Sequence, residues 1–107
     1  MLRILTLTLF CAFILISAIP ALAVPPGQSL TFDKAALGPV QFDGTLHNKA
    51  ATKGCATCHN PDAFPQMKKG GATITMAKIY AGEQCGACHN GTDAFAAQGN
   101  CARCHKR

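Results

Sequence analysis

Hydrophobic positions along this chain follow two unlike patterns. From Ile4 to Ile19 they run almost unbroken, with only Thr6, Thr8 and Ser17 between them. After Val24 they thin into short alternations and single aromatic residues set among Gly, Ala, Thr and Asn. Ser29-Leu30-Thr31-Phe32 and Pro39-Val40-Gln41-Phe42 mix polar and apolar residues and are joined by a polar, Gly-containing link, which predicts a small antiparallel hairpin. Thr45 to Thr52 reads as a short helix carrying His47, and Thr73 to Ala81 as a two-turn helix stopped near Gly82. Asn60-Pro61, Gly70-Gly71, Asn90-Gly91 and Gly99-Asn100 punctuate the rest, with no long amphipathic helix and no run of strands.

The opening apolar run has the order of a secretory signal peptide. Met1-Leu2-Arg3 supplies one positive charge, Pro20 breaks the run, and Ala21-Leu22-Ala23 is a small-x-small cleavage signal. A retained anchor wants about 20 apolar residues, and this run is shorter and ends at a processing site. Residues 1–23 are therefore read as the signal peptide, with Cys11 leaving in it. Residues 24–38 follow as an N-terminal leader with a strand, and residues 39–107 as the main domain. The expected location is the periplasm, with the extracellular space as the alternative, and no membrane insertion is expected after cleavage.

What remains is 84 residues with a small apolar inventory: Phe32, Phe42, Phe64, Phe95 and Tyr80, a few Leu, Ile and Val, and no Trp. Such a chain struggles to offset its conformational entropy by side-chain burial. Small exported domains solve this with disulfides, metals or cofactors. The charge excess after cleavage is four positive. Scattered lysines, the export signal and the lack of a basic helix exclude a nucleic-acid partner.

The staple is in the cysteines. Six remain after Cys11, and all fall into Cys55-Ala56-Thr57-Cys58-His59, Cys85-Gly86-Ala87-Cys88-His89 and Cys101-Ala102-Arg103-Cys104-His105. C-x-x-C-H is the attachment signature of c-type haem. Residues three apart share a face of a helical turn, so two thiols reach the two vinyl groups on one porphyrin edge while the next His lies under the iron. Zinc sites also use C-x-x-C pairs, but they pool four ligands per ion and have no use for His directly after the second Cys three times over. Disulfides within each pair are the other alternative. With three haems bound, six propionates would bring the net charge to about −2, so the lysines partly balance the cofactor.

Counting axial ligands sharpens the expectation. His59, His89 and His105 are the proximal ligands, and His47 is the one remaining histidine. With three irons to saturate, His47 reads as a distal ligand rather than a solvent-facing polar residue. Two irons then lack a second His, and two methionines remain, Met67 and Met76. Met thioether paired with His is an established haem ligation, although Met is also a common core filler. Met76 is the better placed, on a helix shortly before the second motif. Met67 stands beside Lys68-Lys69-Gly70 in a loop. If neither ligates, those irons are open or hold water.

From about Pro39 to Arg107 the chain resembles the triheme class III cytochromes c, the c-seven type, shortened relatives of the tetraheme c-three type. The resemblance rests on Val40-Gln41-Phe42, His47, the three C-x-x-C-H motifs, the close spacing of the last two, and the basic end after His105. It implies a small multihaem cytochrome fold with little regular secondary structure: short α-helices around three covalent haems, with an N-terminal β-hairpin. It also implies a periplasmic electron carrier rather than an enzyme, serving metal or sulfur respiration and meeting other redox proteins in transient complexes. His47 would then serve the haem on Cys85, Cys88 and His89. The chain departs from that pattern where Gly44 and Ala81 stand in place of two distal histidines. Phe64 to Gly70, Ile74-Thr75-Met76 and the second motif resemble a subgroup also found as modules of longer secreted multihaem proteins. Two rival roles stay open at this point: a subunit of an extracellular haem filament, and a small-molecule redox enzyme at an open iron.

Overall fold

In the computed structural model, which describes residues 24–107, two four-residue strands precede every helix. The expected signal peptide and Cys11 lie outside the described residues. Strand β1 (Ser29–Phe32) pairs antiparallel with β2 (Val40–Asp43), with Leu30 opposite Phe42 and Phe32 opposite Val40. The alternation read in the sequence is thus realised: Leu30, Phe32, Val40 and Phe42 are half-buried, while Ser29, Thr31 and Gln41 face solvent.

Strand β2 passes directly into helix α1 (Gly44–Ala50). Asp43 makes the turn possible, because its side chain accepts from the Leu46 N–H at 2.9 Å and so satisfies one of the donors left open at the helix start. The leader packs along this helix. Gly44 donates to the Gln28 carbonyl at 2.8 Å, Gly27 donates to Thr45 Oγ1 at 2.7 Å, and Asn48 donates to the Val24 carbonyl at 2.8 Å. Gly44 is buried beneath it, and a β-carbon there would run into the carbonyls of Pro25 and Gln28 and the Val24 side chain. The position where the resemblance expects a histidine is filled by backbone.

Helix α2 is Met76–Tyr80, shorter than the two turns expected. Thr75 is extended and caps the helix through its hydroxyl, which accepts from Lys78 N–H at 3.3 Å. β-Branched Thr73 and Ile74 before it favour extended backbone, and the Thr73 carbonyl is taken by the Gln84 side chain at 2.9 Å. Helix α3 is the single turn Cys101–Cys104. No helix among the described residues is long and apolar enough to cross a membrane.

Among the described residues no apolar side chain is fully buried, and Leu37, Leu46, Met67 and Tyr80 are about half exposed or more. The polypeptide therefore does not build an apolar interior from its own side chains. Several of its half-buried apolar residues, Leu30, Phe32, Phe42, Phe64 and Ile74, instead line a cleft beside Cys55, Cys58 and Cys85.

Candidate functional site

Each motif folds into the same turn. Gly54–Thr57 and Gln84–Ala87 are 3-10 turns, and Cys101–Cys104 is one α-helical turn. In all three the N–H of the histidine closes back onto the carbonyl of the first cysteine, at 2.9, 2.9 and 2.8 Å for His59, His89 and His105. Residues three apart on such a closed turn share a face, which is the spacing that attachment to one porphyrin edge requires.

The first two motifs continue alike. Asn60 Oδ1 accepts from the N–H groups of Asp62 and Ala63, both at 3.1 Å, and Asn90 Oδ1 accepts from Thr92 and Asp93 at 2.8 and 3.0 Å. These Asx turns bring the chain back so that the Phe64 and Phe95 carbonyls face the imidazoles. His59 Nδ1 lies 3.1 Å from the Phe64 oxygen, and His89 Nδ1 lies 3.1 Å from the Phe95 oxygen.

The third motif stands near the chain end and has no such loop. The hairpin supplies the missing acceptor: His105 Nδ1 lies 3.0 Å from the Gly38 carbonyl, His105 bridges to Val40, and Lys106 N–H donates to the Pro39 carbonyl at 2.8 Å. Gly38 has φ 105°, and a β-carbon there would meet the Lys106 carbonyl. Replacing Gly38 by Ala is expected to push the tail away and release His105. The cost is about 1–2 kcal/mol for the lost hydrogen bonds, with the strain of a β-carbon at a positive φ added to it. Thermal unfolding checks the cost, and the optical spectrum checks the disturbance at the third motif.

His47 follows the same rule from outside any motif. Its Nδ1 lies 2.7 Å from the Asp43 carbonyl one helical turn back. A carbonyl can only accept, so in all four histidines Nδ1 carries the proton and Nε2 presents a lone pair. An imidazole oriented through Nδ1–H to a backbone carbonyl is the usual support of a metal-ligating His. Phe42 stacks on His47 at 3.9 Å, and the His47 and His89 ring centroids are 6.2 Å apart.

A cleft of about 360 Å³ runs beside the first motif. Leu30, Phe32, Phe42, Phe64 and Ile74 give it apolar walls, with Cys55, Cys58 and His59 on one side and Lys68 and Lys69 among its lining. Met67 lines this cleft, and Met76 does not. The loop methionine thus shares a cleft with the first attachment site. Burial raises the Cys58 thiol pKa, with Cys88 and Cys55 adding to the rise. Burial likewise pushes the Cys85 thiol up to about 11, with Cys104, Cys58 and Cys88 contributing. Cys85 nevertheless keeps a solvent-facing side, which moderates the effect.

All six thiols are free, and no three His, Cys, Asp or Glu side chains among the described residues converge as a zinc site needs. The donor set fits c-type haem: paired thiols on one side of a turn, an oriented imidazole below, apolar walls and lysines for propionates. Sequence reading missed the supporting carbonyls of Asp43, Phe64, Phe95 and Gly38. The Asn that directly follows His59 and His89, with Ala-Phe closing each loop, was the available signal.

The family described as cytochrome c7 and related cytochrome c matches residues 40–106. A c7-type three-haem cytochrome domain is 31% identical over 78% of this chain and 99% of its own, with a TM-score of 0.64. The C-terminal hexahaem fragment of GSU1996 is 35% identical over 82% of this chain and 51% of its own, with a TM-score of 0.65. The dodecahaem cytochrome c GSU1996 is 36% identical over 85% of this chain and 26% of its own, with a TM-score of 0.67. This chain therefore spans about half of the hexahaem fragment and a quarter of the dodecahaem protein. Comparison with curated protein sequences gives no match. With motifs, turn geometry and family in agreement, the chain belongs to the cytochrome c7 family and is a multihaem c-type cytochrome.

Proposed function

We infer that this protein carries electrons through three covalently bound c-type haems, one on each motif, between periplasmic partners in metal or sulfur respiration. The observation that carries the reading is the common presentation of Nε2 by His47, His59, His89 and His105, each held through Nδ1 by a backbone carbonyl. The haem irons would supply reversible one-electron chemistry. The chain's part is to tether each porphyrin through its two cysteines, to orient the imidazoles, and to exclude water with the apolar walls. Brief encounters at an exposed haem edge suit redox partners, whose complexes are small and weak.

Within this reading His59, His89 and His105 would be the proximal ligands, and His47 would be the distal ligand of the haem on Cys85 and Cys88. The His47 and His89 rings lie near one another, with centroids 6.2 Å apart, and this proximity supports assigning both to one haem. Met67, in the cleft wall, is the candidate distal ligand for the first haem, and Met76 for another.

The mass of the mature protein counts the haems. His47→Ala is expected to turn one iron in three from low to high spin, to let that iron bind carbon monoxide when reduced, and to be reversed by added imidazole. Low-temperature electron paramagnetic resonance reads the change. An unaltered spectrum would remove His47 from the ligand set, and a mass equal to bare polypeptide would remove the function.

A further inference from the structure

Three side chains line up on either side of the His47–His89 pair. Phe42 stacks on His47 with centroids 3.9 Å apart at 24°, and Phe95 lies against His89 at 4.4 Å and 57°. Beyond Phe95, the Arg103 guanidinium sits over the ring, 3.7 Å from its centroid. Arg103 stands between Cys101 and Cys104, and among the six inner positions of the three motifs it is the charged one; the others are Ala56, Thr57, Gly86, Ala87 and Ala102.

Phe95 holds His89 twice, by its ring at 4.4 Å and by its carbonyl, which accepts from Nδ1–H at 3.1 Å. The guanidinium in turn fixes the Phe95 ring, because a cation over an aromatic face is attracted by the ring quadrupole. The third attachment motif thereby delivers a positive charge to the outer end of the second motif's histidine.

We propose that Phe95 and Arg103 are positioning residues for His89, and that the Arg103 charge raises the reduction potential of the haem on Cys85 and Cys88 above its value without that charge. The proposal rests on His89 being that haem's proximal ligand. A positive charge near the iron favours the reduced state, which carries one positive charge fewer. Through the two ring contacts the charge lies on the order of 10 Å from the iron position. At that range, with the guanidinium open to solvent, the reduced-to-oxidised ratio changes about threefold. For one electron, at 59 mV per tenfold, threefold is about 30 mV.

The test uses the holoprotein with Arg103→Gln, Arg103→Lys and Phe95→Leu, each first shown by mass to carry the wild-type number of haems. Haem-resolved reductive titration is the readout, with the second-motif haem identified as the one altered by His47→Ala. Arg103→Gln is expected to lower that haem's potential by about the threefold shift, more than the others, and less so at high salt, where an exposed charge is screened. Arg103→Lys keeps the charge and restores most of the potential. Phe95→Leu removes the seat of the cation and the ring beside His89, so it moves both the potential and the resonance g-values of that haem. An Arg103→Gln protein with an unmoved second haem, or with all haems moved equally, overturns the proposal. A silent His47→Ala overturns the His47 assignment instead; the second haem is then identified through His89→Met, which changes that motif's own histidine, and the charge effect of Arg103 is still read.

Discussion

With all six motif cysteines replaced by serine, residues 24–107 are expected to show no cooperative unfolding transition. The physical balance leaves little room for another outcome. Ordering each residue costs about 1–2 kcal/mol of backbone entropy. The return in this chain is small, because no apolar side chain among the described residues is fully buried. A lone two-stranded hairpin is marginal in water. Isolated helices need about 12–15 residues to persist, and here they have seven, five and four. Porphyrin surface must therefore stand in for the missing core, and thioether bonds must hold it in place. Circular dichroism on heating should give a featureless slope for the serine variant and a sigmoid for the haem-loaded protein. Limited proteolysis should cut the variant throughout 24–107 at rates typical of an unfolded chain. A sigmoidal melt in the cysteine-free protein would mean that the peptide packs unaided.

That dependence explains which parts of the molecule were legible in the sequence. The strands were, because Leu30, Phe32, Val40 and Phe42 alternate with polar residues. The attachment turns were, because C-x-x-C-H encodes its own geometry. Helix α2 was read too long, since its β-branched approach, Thr73 and Ile74, stays extended and Thr75 caps the helix late. The supporting shell was hidden for a different reason: it is made of carbonyls, and carbonyls carry no residue signature. The acceptor for His105 is Gly38, 67 positions away in sequence, and only the hairpin's return to the chain end brings them together. Gly44 could be read as a missing histidine; that the leader's backbone fills its side-chain space could not. The methionines show the limit of counting. Met67, read as a loop residue beside two lysines, lines the cleft beside the first motif, a placement that a count of methionines does not reveal. Arg103 gave no hint of its contact with Phe95, eight residues before it, because both lie in segments without periodicity.

Replacing Gly86 by Ala is expected to destabilise the haem-loaded protein by roughly 3 kcal/mol, the upper range for forcing extra volume into a packed site, and to lower Tm by about 12–24 °C for a domain of this length. The first and third motifs carry Ala at the matching place, Ala56 and Ala102, so haem attachment itself tolerates a methyl group there. The second motif differs because helix α2 ends on top of it. Gly86 is buried, and a β-carbon would land inside the Ile79 carbonyl group. That carbonyl already accepts from Gly82 at 3.1 Å, and Glu83, which donates to the Lys78 carbonyl at 2.9 Å, accepts from Gly86 at 2.8 Å. No side chain can swing aside; backbone must move. The neighbouring residue has no slack to give. Gln84 is buried at φ 53°, an unfavourable conformation for a residue other than glycine. It is held by its amide donating to the Thr73 carbonyl at 2.9 Å, while its Oε1 has no partner. Because His89 follows in the same turn, the displacement should also disturb the second haem's resonance spectrum and leave the spectrum of the third unchanged. Ala56→Gly and Ala102→Gly serve as controls and should cost at most about 1 kcal/mol, the backbone entropy of glycine. A Gly86→Ala protein melting within about 2 °C of wild type, well below the shift expected for even 1 kcal/mol, would show that α2 does not bear on the second motif as the geometry requires.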